Sequence, residues 1–106
     1  MMRNKIEISV IIPIYNEEST CSDIINKVKK INLVKEIIVV DDASTDSTFE
    51  ILNTIDDINI LKHRINMGKG AAVRTGLSHA KYNYVITQDA DLELSLIHIS
   101  EPTRPY

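Results

Sequence analysis

Short apolar segments rich in β-branched residues alternate along this chain with stretches of helical periodicity, and polar clusters follow the apolar segments. These observations predict an α/β fold with a mostly parallel, Rossmann-like sheet in the order β-α-β-α-β-α-β. Right-handed crossovers follow from that order. So does the place of any ligand, beyond the carboxyl ends of the strands.

Ile6–Ile14 is almost continuously apolar, as suits a strand covered on both faces. Asn16–Thr20 is polar and can start a helix. Cys21, Ile24, Ile25, Val28 and Ile31 then share one helical face, with Lys27, Lys29 and Lys30 off it. Glu36–Val40 reads as a second buried strand. Asp41–Ser47 reads as a loop, in which Ser44, Asp46 and Ser47 can each cap the next helix. Thr48–Ile55 carries Phe49, Leu52 and Ile55 at helical spacing. Asn59–Leu61 is a short third strand, Asn66–Gly70 a loop entering a helix that runs to about Ala80, and Tyr84–Thr87 a fourth strand. Polar clusters fall after all four strands: Tyr15–Glu18, Asp41–Asp46, Arg64–Gly70 and Asp89–Glu93.

At 106 residues the chain has room for one small domain. No apolar run is long enough to span a membrane, and no secretory leader is evident. One cysteine, Cys21, forms no internal disulfide or cysteine-based zinc cluster. The net charge of −3 argues against nucleic acid as the main partner. Together these features point to the cytoplasm.

Asp89 and Asp91 stand two apart at a strand end, where their side chains share one side. Two acids so spaced are most often a solvated turn, but at a strand end they can also hold a hard divalent cation. Asp41 and Asp42 follow an apolar run. Either can accept from a nucleobase or a ribose, or serve only to solvate the loop. All three glycines, Gly68, Gly70 and Gly76, lie around the start of the third helix, with Lys69 and Arg74 beside them. A diphosphate suits such a helix start, and a plain loop-to-helix turn explains it too. It is not a P-loop. Pro13–Glu18 stands where a dinucleotide-binding fold carries G-x-G-x-x-G, which argues against NAD. Tyr15 can stack on a base or pack on the rim. His63 and His79 lack metal-ligand spacing and read as surface residues. Cys21 reads as core.

Taken together, VIIPIYNEE (Val10–Glu18), IIVVDDASTDST (Ile37–Thr48), NMGKGAAVRTGL (Asn66–Leu77) and QDADLE (Gln88–Glu93) resemble the inverting family 2 glycosyltransferases of GT-A fold. The resemblance is nearest to the polyprenyl-phosphate (dolichyl-phosphate) hexosyltransferase branch. It implies that Pro13 and Tyr15 line a nucleobase, Tyr15 by stacking, and that Glu17 helps hold the nucleotide. Asp42 would hydrogen-bond the base, and Lys69 would approach the diphosphate. Asp89 and Asp91 would form the D-x-D element that holds Mg²⁺ or Mn²⁺, with Asp91 the residue assigned to catalysis. The implied donor is a GDP- or UDP-linked hexose. The implied acceptor is a polyprenyl phosphate at a membrane surface, to which the full-length parent would be peripheral or tethered.

Leu94–Tyr106 breaks the pattern, and Leu94–Arg104 resembles the translation of a transposon-end adaptor from sequencing libraries. The expected division is therefore residues 1–93, the donor-binding half of a transferase, followed by a foreign segment, 94–106. Such a half is expected to lack turnover. Two other readings stay open. One is a module that only binds nucleotide. The other is a phosphoacceptor receiver domain, although receivers carry their acidic pair after strand one and their phosphorylated Asp after strand three.

Overall fold

The computed structural model describes residues 6–90 in full and residues 96–100 as backbone alone. Asp91, and the boundary expected after Glu93, lie outside the described residues. The elements are β1 (Ile8–Ile14), α1 (Cys21–Lys29), β2 (Val34–Asp41), α2 (Thr48–Leu52), β3 (Asn59–Lys62), α3 (Lys69–His79), β4 (Tyr84–Gln88) and β5 (Leu96–Ser100). The sheet order is β3-β2-β1-β4-β5. The first four strands are parallel, as predicted, and β5 pairs antiparallel to β4.

The fifth strand is an addition to the predicted order. Unpaired backbone groups along the outer edge of β4 accept any β-prone segment that reaches them. Leu96-Ile97-His98-Ile99 has the β-branched, apolar character that allows it.

β1 and the second half of β2 are buried on both faces, which explains why their sequences run apolar without alternation. One face of the sheet packs Val10, Ile12, Ile14, Ile37 and Val39 against Cys21, Ile24, Ile25 and Val28 of α1 and Leu52 of α2. The other packs Ile11, Ile38, Val40 and Val85 against Ala72 of α3. The predicted α1 stripe holds except at its end. The helix stops at Lys29, and Ile31 lies beyond it, 43% exposed. α2 is likewise shorter than its periodicity predicts. Ser47 occupies its N-cap position without a side-chain bond, and Asp46 supplies the acceptor instead, taking the Thr48 N–H at 2.9 Å.

β1 and β4 lie side by side although the chain visits β2 and β3 between them. Their pairing ends at Ile11 and Thr87, while β1 continues along β2 to Ile14. The Ile14 carbonyl accepts the Asp42 N–H at 2.8 Å, so Ile14 bonds toward β2. Pro13, one residue away, therefore faces the β4 side, beyond the last β1–β4 pair. Its missing N–H costs no ladder bond there, and this is how a central strand tolerates proline. The two strands part at that point, and a cleft opens between their carboxyl ends.

Gly76 sets how closely α3 approaches the sheet. A Cβ placed there would lie 2.6 Å from Cγ2 of Ile11, a fully buried β-branched side chain with little rotameric freedom. Gly70 has room, its nearest neighbour being an Arg74 guanidinium nitrogen at 3.7 Å. Gly76→Ala is expected to lose about 1–3 kcal/mol of stability through overpacking. Gly70→Ala is expected to gain a few tenths to about 1 kcal/mol from a less flexible unfolded chain. Urea titration of the two variants checks both signs.

Candidate functional site

The cleft between the ends of β1 and β4 is lined by Pro13, Ile14, Tyr15, Glu17, Asp42, Lys69, Ala72, Asp89 and Ala90. Every sequence-predicted site residue that the structure describes is among them. They come from four separate strand ends, and the parallel order of the sheet gathers them on one edge.

Tyr15 is 44% exposed at the cleft. The loop beneath it is tightly tied. Asn16 takes a positive φ of 51°, its N–H donates to Ser44 Oγ at 2.9 Å, and its Oδ1 accepts the Thr45 N–H at 2.8 Å. The Glu17 N–H donates to Thr48 Oγ1 at 2.9 Å, and Glu17 Oε1 accepts from Thr20 Oγ1 at 2.8 Å. Glu18 Oε1 accepts the Ser47 N–H at 2.9 Å. The β1–α1 and β2–α2 loops are thus stitched together, and Tyr15 is presented from a fixed base. Asp46 belongs to this stitching and not to the cleft. Burial pushes its carboxyl up, but bonds from the Thr48 hydroxyl and N–H outweigh that and leave it below its ordinary value.

The adjacent acids Asp41 and Asp42 part company because successive side chains point to opposite faces. Asp41 is fully buried, and its Oδ1 accepts both the N–H and the hydroxyl of Ser44. Asp42 lies on the α3 side. Its Oδ1 accepts the Met67 N–H at 2.8 Å and meets His63 Nδ1 at 2.7 Å, and its Oδ2 accepts the Gly68 N–H at 2.8 Å. Its own carbonyl takes the Asn66 amide at 3.2 Å. Burial raises the Asp42 carboxyl, and the bonds from His63, Met67 and Gly68 overcome this, so its pKa falls below the ordinary value.

His63 is therefore not the surface residue that the sequence predicts. Its side chain is 10% exposed and bridges Asp42 to Thr75 Oγ1 on α3, at 2.8 Å. Asp41 pairs with Lys62 across β2 and β3, so Asp42 and His63 are the next residues along each strand. A polar residue after each of two apolar strands was the available signal. Reading it required knowing that the two strands are neighbours. His79 is exposed, as predicted.

The glycine cluster divides by task. Gly68 takes φ +99°, which other residues rarely adopt, and turns the chain from the Asp42 clamp into α3. Gly76 serves packing, not ligand approach. Lys69, at the start of α3, forms an ion pair with Asp89 across the cleft, their side chains 60% and 28% exposed. Asp89 offers hard carboxylate oxygens at the cleft wall, the donor type that divalent cations of the magnesium class take. Among the described residues there is no cluster of three or more metal-binding side chains. Cys21 is fully buried, and burial pushes its thiol pKa up, as befits core.

The family model for glycosyl transferase family 2 matches residues 9–101, which includes the start of the segment set apart by the sequence. An undecaprenyl-phosphate 4-deoxy-4-formamido-L-arabinose transferase from Salmonella choleraesuis is 34% identical over 97 residues, covering 82% of this chain and 29% of its own length. Among solved structures, a mannosyltransferase from Pyrobaculum calidifontis in complex with GDP-Man and Mn²⁺ matches with a TM-score of 0.75 and 28% identity, over 83% of this chain and 28% of its own. Glucosyl-3-phosphoglycerate synthase from Mycobacterium tuberculosis, in complex with Mn²⁺, UDP and glucosyl-3-phosphoglycerate, matches with a TM-score of 0.69 and 31% identity, over 82% and 34%. The chain thus spans about a third or less of the relatives named. No helix among the described residues is long and apolar enough to cross a membrane.

Asp42→Asn is expected to cost about 1.5–3 kcal/mol at neutral pH, because an amide in that position opposes an N–H donor. A folded-state pKa held below 3.8 contributes stability above that value, and the contribution is lost as pH falls through the lower folded value. The stability gap between the unmodified chain and the variant should therefore close in acid below about pH 3.8. Urea titrations across the acid range measure it.

Proposed function

Because this chain belongs to glycosyl transferase family 2, we propose that it is the nucleotide-sugar-binding part of an enzyme that transfers a hexose from a GDP- or UDP-linked donor to a polyprenyl phosphate. One observation carries the proposal. Residues from four strand ends, Pro13, Tyr15, Glu17, Asp42, Lys69 and Asp89, converge on a single cleft where β1 and β4 part. Ligands of parallel α/β sheets bind at such a point.

Each residue has a task its geometry supports. Tyr15 offers an exposed ring face to a base, over the apolar floor of Pro13. Asp42 already accepts three hydrogen bonds, and a carboxylate has about four lone-pair sites. The remaining site on Oδ2 suits one N–H of a pyrimidine or purine. Glu17 lines the same wall and holds its loop through Thr20. Lys69, beside the N-terminus of α3, supplies positive charge for a diphosphate. Asp89, with Asp91, would hold Mg²⁺ or Mn²⁺. The ion would offset charge on the departing nucleoside diphosphate while the acceptor's phosphate oxygen attacks the anomeric carbon. The Lys69–Asp89 pair opens as donor and ion enter, Lys69 turning to phosphate.

We also propose that residues 1–93 are the family portion and that 94–106 are foreign. The resemblance of Leu94–Arg104 to adaptor sequence supports this. Sequencing the parent gene decides it: a family-like frame continuing past codon 93 supports the division, and the same thirteen residues in genomic DNA overturn it. The 106-residue chain should bind donor without turning it over.

Calorimetric titration with UDP and GDP, with and without Mn²⁺, tests the reading. One nucleotide should bind more tightly with the ion present. Asp89→Asn should abolish that metal dependence, and Tyr15→Ala should weaken binding about tenfold, the loss of one base stack. A chain that binds neither nucleotide, or binds without regard to Asp89, refutes it.

A further inference from the structure

The acids and bases of this chain are segregated. Between Ile58 and Gln88 there is no Asp or Glu, against five bases: Lys62, Arg64, Lys69, Arg74 and Lys81. All fifteen acids lie elsewhere in a chain whose net charge is −3. Of the five, Arg64, Lys69 and Arg74 lie on the β3–α3 loop and α3, on the side of the cleft that Lys69 lines, whereas Lys62 sits over the Phe49 ring and Lys81 lies beyond the far end of α3.

The loop also displays the two most exposed large apolar side chains among the described residues, Ile65 at 67% and Met67 at 58%. Their exposure is built in. The Met67 and Gly68 N–H groups are held by the Asp42 carboxylate, and the Asn66 amide by the Asp42 carbonyl. With the backbone pinned inward at Met67 and Gly68, and the Asn66 side chain turned to the same anchor, the Met67 side chain stays outside while its own N–H is bound within. Arg64 stands beside Ile65, and both are exposed. Arg74, also exposed, continues the positive charge along α3.

We infer that the Arg64–Met67 loop and the basic rim of α3 form a docking surface for an anionic lipid bilayer, with Ile65 and Met67 entering the headgroup layer. Basic residues near such a surface are drawn by its negative potential, and neighbouring apolar side chains add burial. Ile and Met beside the bases favour lipid over nucleic acid, which would call for aromatic stacking or donors aimed at bases. The surface adjoins the mouth of the cleft, so a docked chain would hold its donor site against the layer where a lipid-borne phosphate resides. The inference rests on the donor-site reading only for that biological sense. Vesicle binding is read without nucleotide or sugar, so either reading can fail alone.

Sedimentation of the full chain with phosphatidylcholine vesicles, with and without phosphatidylglycerol, provides the test. Binding should require the anionic lipid and fade in high salt. Arg64→Ser with Arg74→Ser should weaken it about fivefold per base. Ile65→Ser with Met67→Ser should weaken it about tenfold or more. Lys27→Ser with Lys30→Ser, an equal loss of charge on the opposite face of the sheet, should leave it unchanged. Equal binding to both vesicle types, no binding, or equal loss in the Lys27/Lys30 variant overturns the inference. So does retention on RNA in place of vesicles, or a dimer in solution that the Ile65/Met67 change dissolves.

Discussion

The carboxylate of Asp42 is the point on which the cleft edge depends. The residue is 3% exposed, stands one residue past the end of β2, and joins that end to β3 and α3. Through His63 it reaches the end of β3 and Thr75 of α3; through Met67 and Gly68 it fixes the approach to α3. Its burial would be costly if it were unpaired. Three donors on two oxygens reverse the balance, and the depressed pKa records that outcome.

From that clamp the remaining geometry follows. Gly68 can take its positive φ because the residues before it are held, and Lys69 then begins α3 at the cleft wall. Gly76, two turns on, lets the helix lie close against Ile11. Between the ends of β1 and β2, the Asn16–Glu18 loop is bound to residues 44–48 by an independent set of bonds. The cleft is thus framed by two separately braced loops, with the parting of β1 and β4 as its floor.

The order of elements and the residues that line the cleft were legible in the sequence because both are local signals. Apolar runs mark strands buried on both faces, and polar clusters at their ends mark the edge where ligands bind. What the sequence hid was lateral. His63 looked like surface because nothing in its own neighbourhood says that Asp42 lies beside it across the sheet. Gly76 looked like part of a ligand loop because its reason, Ile11, stands 65 residues earlier in the chain. Ile31 fitted the α1 stripe by spacing but follows the helix end, where spacing no longer decides burial. The partner strand for the edge of β4 was equally invisible, since the open backbone groups that invite pairing leave no mark in the side chains of β4 itself.

Burial also separates the acids at this edge by what they are free to do. Asp42 is buried, and its bonds hold the fold, so no ligand can take it without unfastening α3. It has one acceptor site to give and no more. Asp89 is more than a quarter exposed, and its partner Lys69 is mostly in solvent. Ion pairs of that kind are typically worth about 0–1 kcal/mol, so opening one would cost little against the charge that the proposed diphosphate and divalent ion would bring. The acid proposed to exchange partners thus stands on the exposed wall, and the acid that braces the fold lies beneath it. The edge of this sheet is arranged in that way.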